Sequence, residues 1–114
     1  MADTIFGKII AGQIPARKVW DDEQCIAIRD INPQAPTHVL VIPRQPIEST
    51  NDITPAQKEL IGHLTWVAAR IAEQEGIAAD GYRLVWNCGK DGGQTVDHIH
   101  LHVLGGRPMA WPPG

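Results

Sequence analysis

The chain has 114 residues, 43% of them hydrophobic and 20% charged, with a formal net charge of −3. That length supports a single domain over residues 1–114 with one small core, and the composition excludes a disordered or fibrous chain. The acidic balance leaves no basic field for a nucleic-acid backbone, so polymeric DNA or RNA is excluded as a partner, whereas a small phosphate ligand needs only a few local donors.

No apolar run approaches the roughly 20 residues of a membrane span. The start, Met1 to Lys8, lacks the charged opening and long apolar stretch of a secretory signal. Cys25 and Cys88 stand far apart and in no metal or redox spacing. Two reduced thiols in a cytosolic, cytoplasmic protein is the expectation.

Asp3-Thr4 is placed to cap a short helix over Ile5–Ala11, with Phe6, Ile9 and Ile10 on one side and Gly12 ending it. Two short strands follow, Arg17–Asp21 and Gln24–Asp30, joined by the acidic turn Asp21-Asp22-Glu23. In the second, Ile26 and Ile28 alternate with Cys25, Ala27 and Arg29. Asn32-Pro33 is turn chemistry. His38-Val39-Leu40-Val41-Ile42 is a near-continuous apolar run stopped by Pro43, the pattern of a central strand covered on both faces. The polar stretch Arg44–Asp52 reads as a connecting loop.

Thr54-Pro55-Ala56-Gln57 opens a long helix, with threonine at the cap, proline at the first helical position and glutamine at the capping-box position. Leu60, Ile61, Leu64, Val67, Ala68 and Ile71 recur at helical spacing until Gly76 closes the element. A turn at Gly81 leads to a strand over Tyr82–Asn87, a glycine-rich loop over Gly89–Gly93 and a last strand over Val96–Gly105. Trp20, Trp66 and Trp86 read as packing residues, and His63 as a surface or interface residue of the helix. The tail Trp111-Pro112-Pro113-Gly114 is too rich in proline for regular structure. The sum is α+β: an antiparallel sheet of about five strands with one long helix on a face, plus one short helix.

Three of the five histidines fall in the run Asp97-His98-Ile99-His100-Leu101-His102-Val103-Leu104, at a spacing of two. On a strand, that spacing sets His98, His100 and His102 on one face, with Ile99, Leu101 and Val103 on the core side. Three readings of the histidine face compete. Polar residues on an alternating strand face outward merely because they are polar, but such positions ordinarily carry Thr, Lys, Glu or Arg, and clustered titrating rings mark functional sites. Zinc is the second reading, and it needs nitrogens about 2.0–2.1 Å from one ion. Successive positions on this face stand about 6.6 Å apart, and His98 about 13 Å from His102. A third ligand would have to come from another strand, with His38 available, so no metal is assigned.

Phosphate chemistry is the third reading. Gly89-Lys90-Asp91-Gly92-Gly93-Gln94-Thr95-Val96 runs directly into the histidines. Glycines let backbone N–H groups approach an anion, and Gln94 and Thr95 add side-chain donors. A neutral imidazole beside that cradle is able to attack phosphorus, while a protonated one stabilises developing charge. Adjacent rings depress one another's pKa, so the face titrates as a set.

The run His98-Ile99-His100-Leu101-His102-Val103-Leu104 matches the alternating signature of the histidine triad (HIT) family. Asp3 to Ile10, Asp30 to His38, Asp91 to Gln94 and Gly105 to Gly114 resemble, in the same order, its Hint branch, the histidine triad nucleotide-binding proteins. The resemblance implies a HIT-like homodimer acting as a purine nucleoside phosphoramidase, with no cofactor. Such an enzyme cleaves the P–N bond of adenosine or guanosine 5′-phosphoramidates through a nucleotidyl-histidine intermediate, giving AMP or GMP and an amine.

By the same resemblance His100 is the nucleophile, flanked by His98 and His102, with His38 behind them. Asn87, Gln94, Thr95 and the Val96 amide would hold phosphate or sugar, and Asp30 the ribose hydroxyls. Ile5, Phe6, Ile9, Ile14, Ile28 and Ile31 would enclose the purine; by burial statistics alone each is more often ordinary core. Thr95 stands where many relatives carry serine, which preserves the hydroxyl. Asp97 stands where they often carry a bulky residue, and alternation turns it away from the histidines. Trp111 would reach the dimer interface. A nucleotide-binding module with negligible turnover and a dinucleoside polyphosphate hydrolase are the alternatives.

Overall fold

The computed structural model describes residues 4–114. Helix α1 (Ile5–Ile10) starts where the Gly7 N–H donates to the Thr4 hydroxyl at 3.0 Å. Asp3, the other half of the predicted cap, lies outside the described residues. The helix ends as predicted, because Gly12 takes φ +78°, a conformation open to glycine.

Strands β1 (Lys18–Asp21), β2 (Cys25–Arg29) and β3 (Thr37–Pro43) follow, then α2 (Lys58–Gln74), β4 (Tyr82–Trp86) and β5 (Leu101–Gly105). They form one five-stranded sheet in the order β1-β2-β3-β5-β4, antiparallel throughout. The segment read as a plain loop contains a 3-10 turn over Thr50–Asp52, closed by a reciprocal Ser49–Asp52 capping box. The long helix opens on a second 3-10 turn over Pro55–Gln57, with the Thr54 N–H donating to Gln57 Oε1 at 2.9 Å.

The central sheet is covered on both faces, as the apolar run through β3 requires. On one face Cys25, Ala27, Val39, Val41, Leu101 and Val103 pack against Leu64, Val67, Ala68, Ile71 and Ala72 of α2. On the other, Ile26, Ile28, Leu40 and Ile42 pack against Phe6 and Ile9 of α1. Each buried Leu, Ile or Phe contributes about 1.5–3 kcal/mol, so both layers matter to stability. Two tryptophans depart from the packing reading or its expected cover: Trp66 is 53% exposed on α2 and Trp111 is 82% exposed in the tail.

The final strand is shorter than its sequence pattern predicts, covering Leu101–Gly105 and not Val96–Gly105. Pairing stops at the same place on both sides: β4 ends at Trp86↔Leu101, and β3, although it continues to Pro43 beside β2, pairs with β5 only as far as Val41↔Leu101. Upstream of Leu101 the backbone pairs with a loop instead, the Ile99 N–H donating to the Ile47 carbonyl at 2.8 Å. His102 therefore sits in the strand, while His98 and His100 hang from its end over the α1 face. Their common facing survives, because Phe6 of α1 meets both rings and the His100 ring lies 5.0 Å from that of His102.

Candidate active site

The histidine cluster is buried: His98, His100 and His38 are each under 7% exposed. The His100 and His102 rings lie 5.0 Å apart, and His38 and His102 5.1 Å apart. Phe6 of α1 meets the His100 ring edge-on at 4.8 Å and the His98 ring at 6.4 Å. Leu40 pairs with His102 in the β3–β5 register, and His38 with Leu104, which places His38 on the same face.

Backbone partners fix which nitrogen of each ring carries the proton, since a carbonyl only accepts and a peptide N–H only donates. His100 Nδ1 lies 2.8 Å from the His98 carbonyl and donates to it, leaving Nε2 with a free lone pair. His98 Nε2 donates to the Pro43 carbonyl at 2.8 Å. The Gln34 N–H donates to His38 Nδ1 at 3.0 Å, so His38 Nε2 carries hydrogen and donates to His102 Nδ1 at 2.9 Å. His102 consequently presents an Nε2–H. One ring offers a lone pair and its neighbour a donor, which is the complement a phosphoryl group needs.

Burial holds all four imidazoles below their ordinary pKa of 6.5. His102 is driven furthest, to about 4, by burial and by the neighbouring His100 and His38. At neutral pH the cluster is uncharged. Asp30 opposes the trend at His38, with Oδ2 3.5 Å from His38 Nε2, while its Oδ1 accepts the Asn32 N–H at 2.8 Å.

The glycine loop is braced by two residues expected to hold ligand. Gln94 Nε2 donates to the Glu48 carbonyl at 2.6 Å and the Val96 carbonyl at 2.9 Å, and its Oε1 accepts the Gly89 N–H at 3.0 Å. Asn87 Nδ2 donates to the Gly92 carbonyl at 2.7 Å. Their amides thus shape the loop. Thr95 is exposed and Val96 half-buried at the loop's exit beside the histidines, and Asp97 is exposed.

The six apolar residues assigned to a base pocket separate. Phe6, Ile9 and Ile28 are buried together under α1, with Ile14 packed at their edge. Ile5 is 48% exposed and Ile31 97% exposed, so these two are not drawn into that cluster. Spacing gave no sign of the backbone anchors at Gln34 and Pro43, nor of Ile47 tethering Ile99, because main-chain groups carry no residue signature. Sequence also left both cysteines alone, whereas the fold brings Cys25 to Asp22 and His63. A second such group is Asp30, His38 and His102 within the site itself.

Residues 11–109 match the HIT domain family model. The chain is 53% identical over 107 residues to the purine nucleoside phosphoramidase of Escherichia coli K12, covering 94% of this chain and 90% of that one. It is 55% identical over 112 residues to an HIT-like protein of Synechococcus elongatus, covering 98% and 97%. A HIT family hydrolase from Legionella pneumophila superposes with a TM-score of 0.96 at 49% identity, covering 98% of this chain and 100% of that one. By family match, relatives and fold together, the chain belongs to the HIT domain family.

Proposed function

We propose that the protein is a purine nucleoside phosphoramidase, hydrolysing the P–N bond of adenosine or guanosine 5′-phosphoramidates. The observation that carries the reading is the His100 tautomer: Nδ1–H is spent on the His98 carbonyl, so the Nε2 lone pair is available to attack. The likeness to the Escherichia coli phosphoramidase supports the substrate class.

In the proposed reaction His100 Nε2 forms a bond to the α-phosphorus as the P–N bond breaks. The amine nitrogen leaves with the bonding pair and takes up a proton. The nucleotidyl-imidazolium so formed keeps its Nδ1–H on the His98 carbonyl, which offsets the new positive charge. Water then attacks phosphorus and loses a proton, the P–Nε2 bond breaks, and its electron pair returns to His100. His102 Nε2–H donates to a phosphoryl oxygen in both steps, and His98 holds the backbone of the triad against Pro43. The Thr95 hydroxyl and Val96 amide complete the phosphate contacts, with Asn87 and Gln94 holding the loop in shape. Asp30 takes the ribose hydroxyls. Phe6, Ile9, Ile14 and Ile28 form the floor of the purine site, and Ile5 and Ile31 close on the base from solvent. Nucleophile and charge stabilisation come from side chains and loop amides, so no cofactor enters the reaction.

A homodimer and a cytoplasmic location belong to the same reading. Strand β4 is a sheet edge whose residues are all half-buried, and Arg83 donates to the Ala110 carbonyl at 2.8 Å, holding the exposed Trp111 segment beside it. An open edge next to an exposed aromatic favours pairing with a second copy. Both cysteines are free, which fits a reducing compartment, and among the described residues no helix is long and apolar enough to cross a membrane.

The test is AMP release from adenosine 5′-phosphoramidate by chelator-treated protein, with His100→Ala alongside. Turnover that disappears in the variant while AMP still binds is the expected result. Turnover at the wild-type rate in the variant would overturn the nucleophile, and AMP binding without turnover in the parent would leave a nucleotide-binding module.

A further inference from the structure

We propose that the crevice between the β1–β2 turn and α2 is a binding site for a thiophilic divalent cation, zinc by chemistry, ligated by Asp22, Cys25 and His63. It lies on the α2 side of the sheet, since Cys25 belongs to the layer packed under α2 whereas the active-site histidines lie on the α1 side. One carboxylate oxygen, one thiol sulfur and one imidazole nitrogen there all fall within 4.8 Å of one another.

The separations are close to those a metal demands. With bonds of about 2.3 Å to sulfur and about 2.0–2.2 Å to nitrogen and oxygen, tetrahedral ligands stand roughly 3.3–3.6 Å apart. Cys25 Sγ is already 3.6 Å from Asp22 Oδ2. His63 Nε2 is 2.7 Å from the same oxygen, a hydrogen bond that opens by about 0.6 Å to admit an ion. The His63 and Asp22 side chains are 24% and 26% exposed, so the fourth position faces solvent and an ion has a route in.

The surroundings supply the outer contacts of a metal site. Asp22 Oδ1 accepts the Gln24 and Cys25 N–H groups at 2.7 and 2.8 Å, and Oδ2 accepts Trp20 Nε1–H at 2.8 Å, which fixes the carboxylate. Trp66 stacks on His63 at 6.0 Å and 26°, limiting the ring's rotation. Charge also balances. A thiolate and a carboxylate facing one divalent cation sum to zero, whereas in the metal-free state burial and the Asp22 charge push the Cys25 thiol up to about 12. On binding, the thiol proton leaves to solvent, the His63 proton moves from Nε2 to Nδ1, and three bonds to the metal form.

Cobalt(II) is the probe, titrated into metal-stripped Cys88→Ser protein so that Cys25 is the one remaining thiol. The expected result is a sulfur-to-cobalt charge-transfer band in the near ultraviolet that saturates at one thiolate-bound cobalt per chain and is displaced by zinc. Cys25→Ser should abolish the band, and His63→Gln, which alters a half-exposed side chain, should weaken cobalt binding about tenfold or more. Turnover of adenosine 5′-phosphoramidate should persist in His63→Gln, which keeps this test separate from that of the active site. Cobalt binding without the charge-transfer band, or with unchanged affinity in His63→Gln, would overturn the site. Because His63→Gln leaves the buried layer intact, the test survives a Cys25→Ser variant that fails to fold.

Discussion

His102 is held in one tautomer by a main-chain group four residues before His38. The Gln34 N–H occupies His38 Nδ1, His38 Nε2–H occupies His102 Nδ1, and the one remaining His102 proton is on Nε2. Removing His38 leaves His102 Nδ1 without its donor and frees the ring to carry the proton on either nitrogen. His38→Ala should lower kcat by about ten- to hundredfold with KM little changed, since the lost constraint acts on the phosphoryl contact and not on the base. Steady-state kinetics check the split, and nitrogen-15 NMR of the imidazoles checks its cause: the variant's His102 should show mixed tautomers where the parent shows one. A KM raised along with the fall in kcat, or an unchanged His102 tautomer, would point to a purely structural role for His38.

The glycine loop and the end of β5 act together as one element. Gly92 is required there for space, since a Cβ would run into the Cys88 carbonyl and amide of the same loop. Gly92→Ala should therefore raise KM and lower kcat together while leaving the thermal midpoint within a few degrees, because the loop is exposed and outside both packed layers. Leu64→Ala makes the opposite comparison. The Leu64 side chain is fully buried in the α2 layer, and its loss should cost about 2–5 kcal/mol in urea unfolding with the active-site chemistry intact. How much of this was legible beforehand follows from where the information resides. The α2 stripe, the Thr54 cap and the Gly12 stop are legible in residue types, and each led to its element, whereas the alternating histidines led to a strand that holds only His102 of the three. The early end of β5 was hidden, because Val96–Leu101 alternates like a strand, and what stops the ladder is the end of β4 at Trp86 and the loss of β3 pairing beyond Val41, neither of which leaves a mark in this segment's own residues. For the same reason Gln94 read as a ligand donor: its three bonds to the Glu48, Val96 and Gly89 backbones appear only once the loop is folded. The meeting of Cys25 with His63 spans two elements that no local spacing relates.

Across the whole molecule the sheet separates buried histidines from half-buried carboxylates, and the two sets respond to acid in different ranges. On the α1 side His38, His98, His100 and His102 are all held neutral by burial, below the ordinary 6.5 of a free imidazole. In the unfolded chain these rings take up protons as pH falls through about 6.5, whereas the folded cluster resists, His102 down to about 4. Between those limits the unfolded state binds more protons, so stability is complete above pH 6.5 and declines as pH falls toward 4. The α2 side holds carboxylates with the opposite shift. Burial pushes Asp22 up, but bonds from Trp20, His63 and the Gln24 and Cys25 amides outweigh it and hold the group well below the usual carboxylate range. Glu75 is lowered by its paired bonds to Arg29 at 2.7 and 3.0 Å. Their contributions persist above their unfolded values of 3.8 and 4.5 and are lost only below them. The histidines alone therefore govern the range from about 6.5 to 4.5. Urea midpoints measured at half-unit steps from pH 7.5 to 4.5 should stay level to about 6.5 and then fall, with a shallower fall in His102→Asn. The same burial keeps the His100 lone pair free in mild acid, so the acid limb of kcat/KM should lie below pH 6.5. A stability profile flat across that range would mean that the folded cluster takes up protons as readily as the unfolded chain, and an acid limb at 6.5 or above would say the same of His100.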